Sequence, residues 1–585
     1  MSKFLATLLA TAIAAAIPTT PASAQDAAAA FKPKDERMAW WREARFGMFI
    51  TFGLYSEPGG VWQDGRRVTS SGYGEWLLPR IKGLKQSDYM PLAKTFNPGK
   101  WDAEKLIQMA DDAGMKYLVF VTKFHDGFSM YDTKLSDWSV VKATPWHRDP
   151  MKELSLAAHK HGIKLIPYYS ILDWYHPAYE PRAAFNDVAQ GPTDMAAYEK
   201  FMQGQLKELQ DQYGPLAGFW FDGNWEGTWT KERGQRLEAF CHQLIPDGVF
   251  NNRTGKQEGG VHGIVSGDFC TPELTIPANG YPGMDWESCM TMNGTWGWRR
   301  DDTAWKTPAF MIRQLIDCAS KGGNFLVNVG PKPDGSIPDA SIEVLEGFAK
   351  WMQINREAIK GTGPGPLPAQ PAWGRITTKP GTLYLHLFSW PADSAIELPL
   401  KFDGQPEVYL LADPKKSPLA LETTDTGIRI KVPVTMELDR AATVIVVKGK
   451  YTLPAPPKAP IKAISAKASS TWTINPGMTA DQVADGNFNT RWGAEGNARS
   501  GWLELDLGAE KTIAGALVDE AGYSRTQKFE IQAKSGEAWT TVAAGTTLGD
   551  RKIIRFKTPA TARVFRLNIL QASEVPTISE FQLFE

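Results

Sequence analysis

Cysteine is scarce. Cys241, Cys270, Cys289 and Cys318 are the only four in 585 residues, with no C-x-x-C pair and no zinc-type spacing. A zinc-ribbon scaffold is therefore excluded, while free thiols and three disulfide pairings stay open. Net charge is nearly absent as well. The 64 lysines and arginines almost cancel 65 aspartates and glutamates, which argues against a surface that tracks nucleic-acid phosphates. Beyond the first two dozen residues no apolar run approaches the ~20 residues of a membrane-spanning helix. There is no H-E-x-x-H, no P-loop, no G-x-G-x-x-G fingerprint and no G-x-S-x-G elbow. Zinc-dependent hydrolysis, nucleotide chemistry and serine-nucleophile catalysis are set aside on those grounds.

Aromatic and turn-forming residues are abundant: 22 Trp, 53 Gly and 40 Pro. Such rings suit sugar stacking and ordinary cores alike. A chain this long exceeds one hydrophobic core, so about two to four domains are expected. Residues 1–24 read as a secretory signal, with Lys3, an apolar run from Phe4 to Ile17, and Ala22-Ser23-Ala24 before Gln25. The expected address is secreted, in the periplasm. Residues 31–362 alternate buried strands with amphipathic helices, the pattern of a (β/α)8 barrel. The Pro-rich stretch Gly361 to Pro371 is a linker. Residues 371–450 carry short period-two strands and no helix pattern, as in a β-sandwich. A second Pro-rich linker, Leu453 to Pro460, leads to residues 462–585, an all-β unit expected to be a jelly roll.

The barrel is organised around Gly218-Phe219-Trp220-Phe221-Asp222-Gly223. Tyr198, Phe201, Met202, Leu206, Leu209 and Tyr213 form the apolar face of a helix before it, ended by Gly214-Pro215. A buried strand that ends in one carboxylate places that carboxylate at the mouth of a barrel. Capping of the next helix is the other reading of Asp222. The polar residues at predicted strand ends are Glu75, His125, Tyr168, Asp222, Arg253 and Glu273, flanked by Trp76 and Trp220. Carboxylates, an Arg, a His and aromatic rings make up the inventory of glycoside hydrolysis, which needs one ionised and one protonated carboxyl. Asp222 and Glu273 come from different strand ends, which permits the roughly 5–5.5 Å separation that retention needs. In that role Glu273 is expected to be buried or beside a negative charge, so that it keeps its proton.

The barrel resembles the α-L-fucosidases of glycoside hydrolase family 29. The resemblance is carried by Arg45 to Ile50, Glu75-Trp76, His125 to Phe128, Tyr168 to Trp174, Trp220 to Gly223, Gly267 to Glu273, Thr291 to Asn293 with Trp296-Gly297, and Lys321 to Pro331. It implies a retaining exo-α-L-fucosidase acting on fucosylated oligosaccharides or glycans. Asp222 matches the nucleophile and Glu273 the acid/base, while Glu75, Trp76, His125, Tyr168, Trp220 and Arg253 match sugar contacts. No cofactor is implied for catalysis. The chain departs from the family twice. Thr51-Phe52 stands where a His-Trp pair is usual, and Phe124-His125 where two histidines are usual. Those changes open two alternatives: a retaining glycosidase for another L-sugar such as an α-L-galactoside, or an inactive carbohydrate-binding protein. Residues 462–585 resemble the factor V/VIII type C (discoidin-like) modules, which include family 32 carbohydrate-binding modules, through Asp485 to Trp492, Trp502 to Gly508 and Ile578 to Phe581. Such modules often hold a structural calcium, which here would use Asp485, Thr490 and Glu580. A jelly roll with no ion is the alternative.

Overall fold

The computed structural model describes residues 34–585 apart from 70–71, 256–265, 282, 368–369, 390–393, 426, 433–438, 453–459, 474–476, 489, 522, 524 and 550. The expected secretory signal and most of the second linker lie outside the described residues.

Seven parallel strands form one sheet: β1 (Phe46–Ile50), β2 (Tyr117–Lys123), β3 (Lys164–Ser170), β4 (Gly218–Asp222), β5 (Val249–Phe250), β6 (Glu287–Thr291) and β7 (Asn324–Val329). Their spatial order is β5-β4-β3-β2-β1-β7-β6. The two edges are joined by residues 268–273, which form no regular strand. That segment bridges Asn251 through Phe269 on one side, and Trp286 and Cys289 through Cys270 and Glu273 on the other. It is the eighth stave of the barrel, held by isolated contacts. The bidentate Arg37–Asp268 ion pair, at 2.9 and 2.8 Å, ties it to the opening helix.

The strands are almost wholly buried, with β1, β2, β6 and β7 buried at every position. That is why they read as continuous apolar runs rather than as alternating ones. Helices α1 (Lys34–Ala44), α2 (Ala103–Asp112), α3 (Pro150–His161), α4 (Met195–Tyr213), α5 (Lys231–Leu244), α6 (Pro308–Ser320) and α7 (Asp339–Asn355) surround them. Asp102, Asp149, Asp194, Thr230 and Thr307 cap five of these helices by accepting backbone N–H bonds. Each such cap stabilises its helix by about 1 kcal/mol. Capping is not the role of Asp222, since α5 begins nine residues later with Thr230 as its cap. All four cysteines are buried free thiols.

After the barrel, strands Gly374–Lys379, Thr382–Leu387, Glu407–Leu410 and Thr443–Lys448 form one antiparallel sheet, and Ala395–Leu398, Leu421–Thr423 and Ile428–Lys431 a second. Ile376, Leu383, Leu385, Ile396, Ile430 and Ile445 share the core of this sandwich. It docks on α6 and α7. Arg313 donates to the Ala441 and Phe388 carbonyls at 2.8 and 2.9 Å, and Trp351 Nε1 to the Ala442 carbonyl at 2.9 Å. The C-terminal unit has its own core around Trp492, Leu503, Phe565 and Phe581. Its long strands Gly501–Asp519 and Lys552–Ala572 pair antiparallel at its centre. No helix among the described residues is long and apolar enough to cross a membrane.

Candidate active site

The carboxyl ends of the strands surround a cavity of about 220 Å³, and Asp222 faces it from the end of β4. The backbone there is held from both sides. Ile171 N–H donates to the Asp222 carbonyl at 2.8 Å. The Asn251 amide exchanges two hydrogen bonds with the Phe221 peptide, at 2.8 and 2.9 Å, and so continues the ladder where β5 has already ended. Gly223 follows at φ 78°, and a Cβ there would lie 2.6 Å from the Leu172 backbone. Only glycine makes that turn without strain.

Both carboxylate oxygens of Asp222 are engaged. Arg253 Nη1 donates to Oδ1 at 2.7 Å, and the Tyr168 hydroxyl to Oδ2 at 2.9 Å. Burial, the largest single influence, would raise the Asp222 pKa, but the Arg253 charge and the hydrogen bonds from Arg253 and Tyr168, with neighbouring His125, together hold the group below the usual carboxylate range. Asp222 is therefore ionised at neutral pH, as a nucleophile must be. His125 lies beside it, with Nε2 3.8 Å from Oδ2. Burial pushes that imidazole down to about 4, so it is neutral at pH 7. Its tautomer follows from its partners. Ser170 Oγ, 2.6 Å from His125 Nδ1, donates its own proton to the Leu172 carbonyl, so Nδ1 carries the ring proton and Nε2 is an acceptor.

Arg253 reaches two carboxylates at once, with Nη2 donating to Glu273 Oε2 at 3.0 Å. Trp296 Nε1 donates to the other Glu273 oxygen at 3.1 Å. Glu273 stands at the rim with 37% of its side chain exposed, so of the two expected settings, burial or a neighbouring negative charge, burial is not met, and Asp222 lies across the shared Arg253 guanidinium. The segment that carries it is the eighth stave, whose carbonyls and N–H groups pair only intermittently, and its side chain turns outward. The deeply buried carboxyl of the pocket is Glu75, pushed up to about 7 by burial. Its Oε2 accepts from Gly297 N–H at 2.9 Å and Thr295 Oγ1 at 3.3 Å, and its Oε1 makes no hydrogen bond.

Aromatic rings complete the walls. Phe49 packs against Tyr168, Trp220 and Trp296 at 5.4 to 5.8 Å between centroids. Trp220 donates from Nε1 to the buried Glu287 at 3.0 Å and lies 4.9 Å below the Arg253 guanidinium. Trp76 stacks with Trp225 at 6.0 Å and meets the His125 ring edge-on. All eight residues expected at the site thus converge on this cavity or, for His125, stand directly behind Asp222. Trp225, Trp296 and Phe49 were missed as site residues. Trp225 follows Asp222 by three positions, and Phe49 and Trp296 lie in stretches that carry the family resemblance, cues that were available, although residue type alone does not tell these rings from core aromatics.

The two family departures also line the cavity. Thr51 donates to Asn328 Oδ1 at 2.6 Å, which leaves its oxygen as an acceptor. Phe124 presents an apolar ring, stacked with Tyr168 at 6.3 Å.

An ionised carboxylate, a second carboxyl across a shared guanidinium and an aromatic pocket below the roughly 300–1,000 Å³ of drug-sized sites define a barrel glycoside hydrolase. Comparison with known proteins places it further. Residues 14–357 match the model of the alpha-L-fucosidase family and residues 465–581 that of the F5/8 type C domain. The chain belongs to the alpha-L-fucosidase family. It is 30% identical over 381 residues to tissue alpha-L-fucosidase of Mus musculus, covering 62% of this chain and 80% of the relative. Among solved structures it resembles alpha-L-fucosidase isoenzyme 1 from Paenibacillus thiaminolyticus, at 33% identity and TM-score 0.62, over 71% of this chain and 99% of that one. It also resembles a trapped covalent intermediate of a GH29 alpha-L-fucosidase from Bacteroides thetaiotaomicron, at 28% identity and TM-score 0.63, over 72% and 97% of the two chains.

Proposed function

We propose that the chain is a retaining exo-α-L-fucosidase that removes terminal α-L-fucose from oligosaccharides or glycans outside the cytoplasm. The observation that carries this reading is the Arg253 guanidinium, which holds Asp222 and Glu273 together at a pocket of one-sugar size. In the first step an Asp222 oxygen bonds to the anomeric carbon while the glycosidic C–O bond breaks. The departing oxygen takes the Glu273 proton. Asp222 then carries an ester and no charge, so Glu273 becomes the only carboxylate partner of Arg253, which suits its second task as a base. Water gives a proton to Glu273 and its oxygen displaces Asp222 from the sugar, restoring the original configuration. The covalent intermediate trapped in the Bacteroides thetaiotaomicron relative supports this route. Glu75, Trp76, Tyr168, Trp220 and Arg253 orient the sugar, with the free Glu75 oxygen accepting from a hydroxyl, while His125 backs Asp222 from behind.

The apolar Phe49 and Phe124 rings favour a methyl over a hydroxymethyl substituent on the sugar. An apolar wall rejects an added hydroxyl only weakly. Aryl α-L-fucoside is therefore expected to be cleaved about 10- to 100-fold faster, as kcat/KM, than aryl α-L-galactoside. The reverse order would mean that Thr51 and Phe124 select a different L-sugar. Hydrolysis of neither would leave a carbohydrate-binding barrel.

A structural calcium in the C-terminal module is part of this proposal. Glu580 is fully buried and its Oε1 has no hydrogen-bond partner among the described residues. Asp485 neighbours it and accepts from Thr490 Oγ1 at 2.7 Å. Two carboxylates and a hydroxyl around an orphaned oxygen fit a hard cation, and Asp485, Thr490 and Glu580 would hold it. Without an ion, burial raises Glu580 from 4.5 to about 8, aided by Asp485. A raised carboxyl contributes stability that is fully present below pH 4.5 and is lost as pH rises towards 8. Calcium replaces the proton, so it is expected to raise the melting temperature more at pH 8 than at pH 5, reversibly with a chelator. An equal response at the two pH values would show that Glu580 holds no ion.

A further inference from the structure

A second cavity begins where the pocket ends. Its volume is about 850 Å³, several times that of the sugar pocket, and Trp225, Arg253 and Glu273 line both. From that shared rim it runs between two domains. The barrel contributes Asn279 and Tyr281, and the C-terminal module contributes Phe488, Thr490 and Arg491. Because the two cavities share this rim, whatever is attached to the sugar beyond the scissile bond passes Glu273 into this groove.

The walls suit carbohydrate. Trp225 is 45% exposed and offers an aromatic face at the entrance. Asn279, Thr490 and Arg491 supply donors and acceptors for hydroxyls. The Arg491 guanidinium makes no ion pair among the described residues, and its backbone N–H is fixed by Gln482 Oε1 at 3.1 Å. The turn bearing Phe488 and Arg491 is pinned by Asp485, which accepts from Asn487 N–H and Thr490 Oγ1, both at 2.7 Å. On its other side Arg551 stacks on Phe488 at 4.1 Å. The wall is therefore pre-shaped before a ligand arrives.

We propose that the C-terminal module is part of the active site, its Phe488 and Arg491 turn forming one wall of a leaving-group subsite. The preferred substrates are then oligosaccharides with two or more sugars beyond the bond that is cut, in place of short fucosides. The proposal rests on the fucosidase reading, and the test separates the two.

The full chain would be assayed on an aryl α-L-fucoside, a fucosylated disaccharide and a fucosylated tetrasaccharide of the same terminal linkage. Wild type is expected to show a higher kcat/KM on the tetrasaccharide than on the disaccharide. Arg491→Ala and Phe488→Ala are each expected to lower the tetrasaccharide-to-disaccharide ratio about five- to tenfold, the effect of one lost charge-assisted or stacking contact. Arg491→Gln, which keeps the side-chain bulk, should lower it too, and melting curves would confirm that the variants are folded. A ratio unchanged within about twofold in the folded variants, or no wild-type preference for the longer substrate, overturns the proposal while aryl fucoside hydrolysis keeps the fucosidase reading. No hydrolysis of any fucoside by wild type overturns both.

Discussion

Replacing Asp222 by Asn is expected to lower turnover of an aryl α-L-fucoside by at least about 10³-fold, with the fold intact. The amide keeps the shape and can still accept from Tyr168, so the positions around it need not move. What it loses is the negative charge that burial opposes and Arg253 sustains. An amide oxygen is a poor nucleophile toward an anomeric carbon, so no glycosyl ester forms. The substitution also leaves Arg253 buried with Glu273 as its only carboxylate partner, and a modest loss of melting temperature should accompany it. NMR of the first-formed wild-type sugar should show the α anomer, as retention requires. Near-wild-type turnover in Asp222→Asn, or an inverted first product, would remove Asp222 from the nucleophile's role.

The second large effect separates the two carboxyls on the far side of the pocket. Glu273→Gln is expected to cut turnover about 10²- to 10⁴-fold on substrates whose leaving group needs a proton. On an aryl fucoside with an acidic phenol the first step should fall far less, because that oxygen departs unaided. Glu75→Gln should behave differently. Glu75 lies against Gly297 and Thr295, where it can hold a hydroxyl of the sugar. Its loss should weaken good and poor leaving groups alike, by about 10- to 100-fold, the scale of a hydrogen bond to a charged group. With its carboxyl near 7, the wild-type kcat/KM should inflect close to that pH, and the inflection should vanish in Glu75→Gln. If leaving-group dependence appears in Glu75→Gln and not in Glu273→Gln, the acid role moves to Glu75.

Much of this arrangement was legible because barrel strands advertise themselves. Phe219 to Phe221 and Tyr117 to Val121 are continuous apolar runs, and a carboxylate at the end of such a run has few places to point. An Asp or Thr just ahead of a periodic apolar run marks a helix start, and Asp102 and Thr307 are such marks here. The eighth stave was not legible as a strand. Residues 268–273 hold two acids and one proline against a single apolar pair, Phe269-Cys270, and their pairing is set by what flanks them rather than by local pattern. The burial of Glu75 and the exposure of Glu273 were equally hidden. Both follow from which distant segments fold over them, the 295–297 turn in one case and an open rim in the other.

That unequal barrel has a mechanical consequence. Asp222 stands on a strand laced to both neighbours, so the carboxylate assigned above to the covalent step is aimed by its backbone. Glu273 stands on an irregular seam, tied to both flanks by backbone hydrogen bonds but only through isolated bridges. In the proposed mechanism the anvil and the hammer are mounted differently. A carboxyl on such a seam is aimed by its side-chain partners, Arg253 and Trp296, more than by a strand's register. That mounting also means that substitutions in the seam can retune the range of leaving groups while the rest of the barrel goes on folding as before.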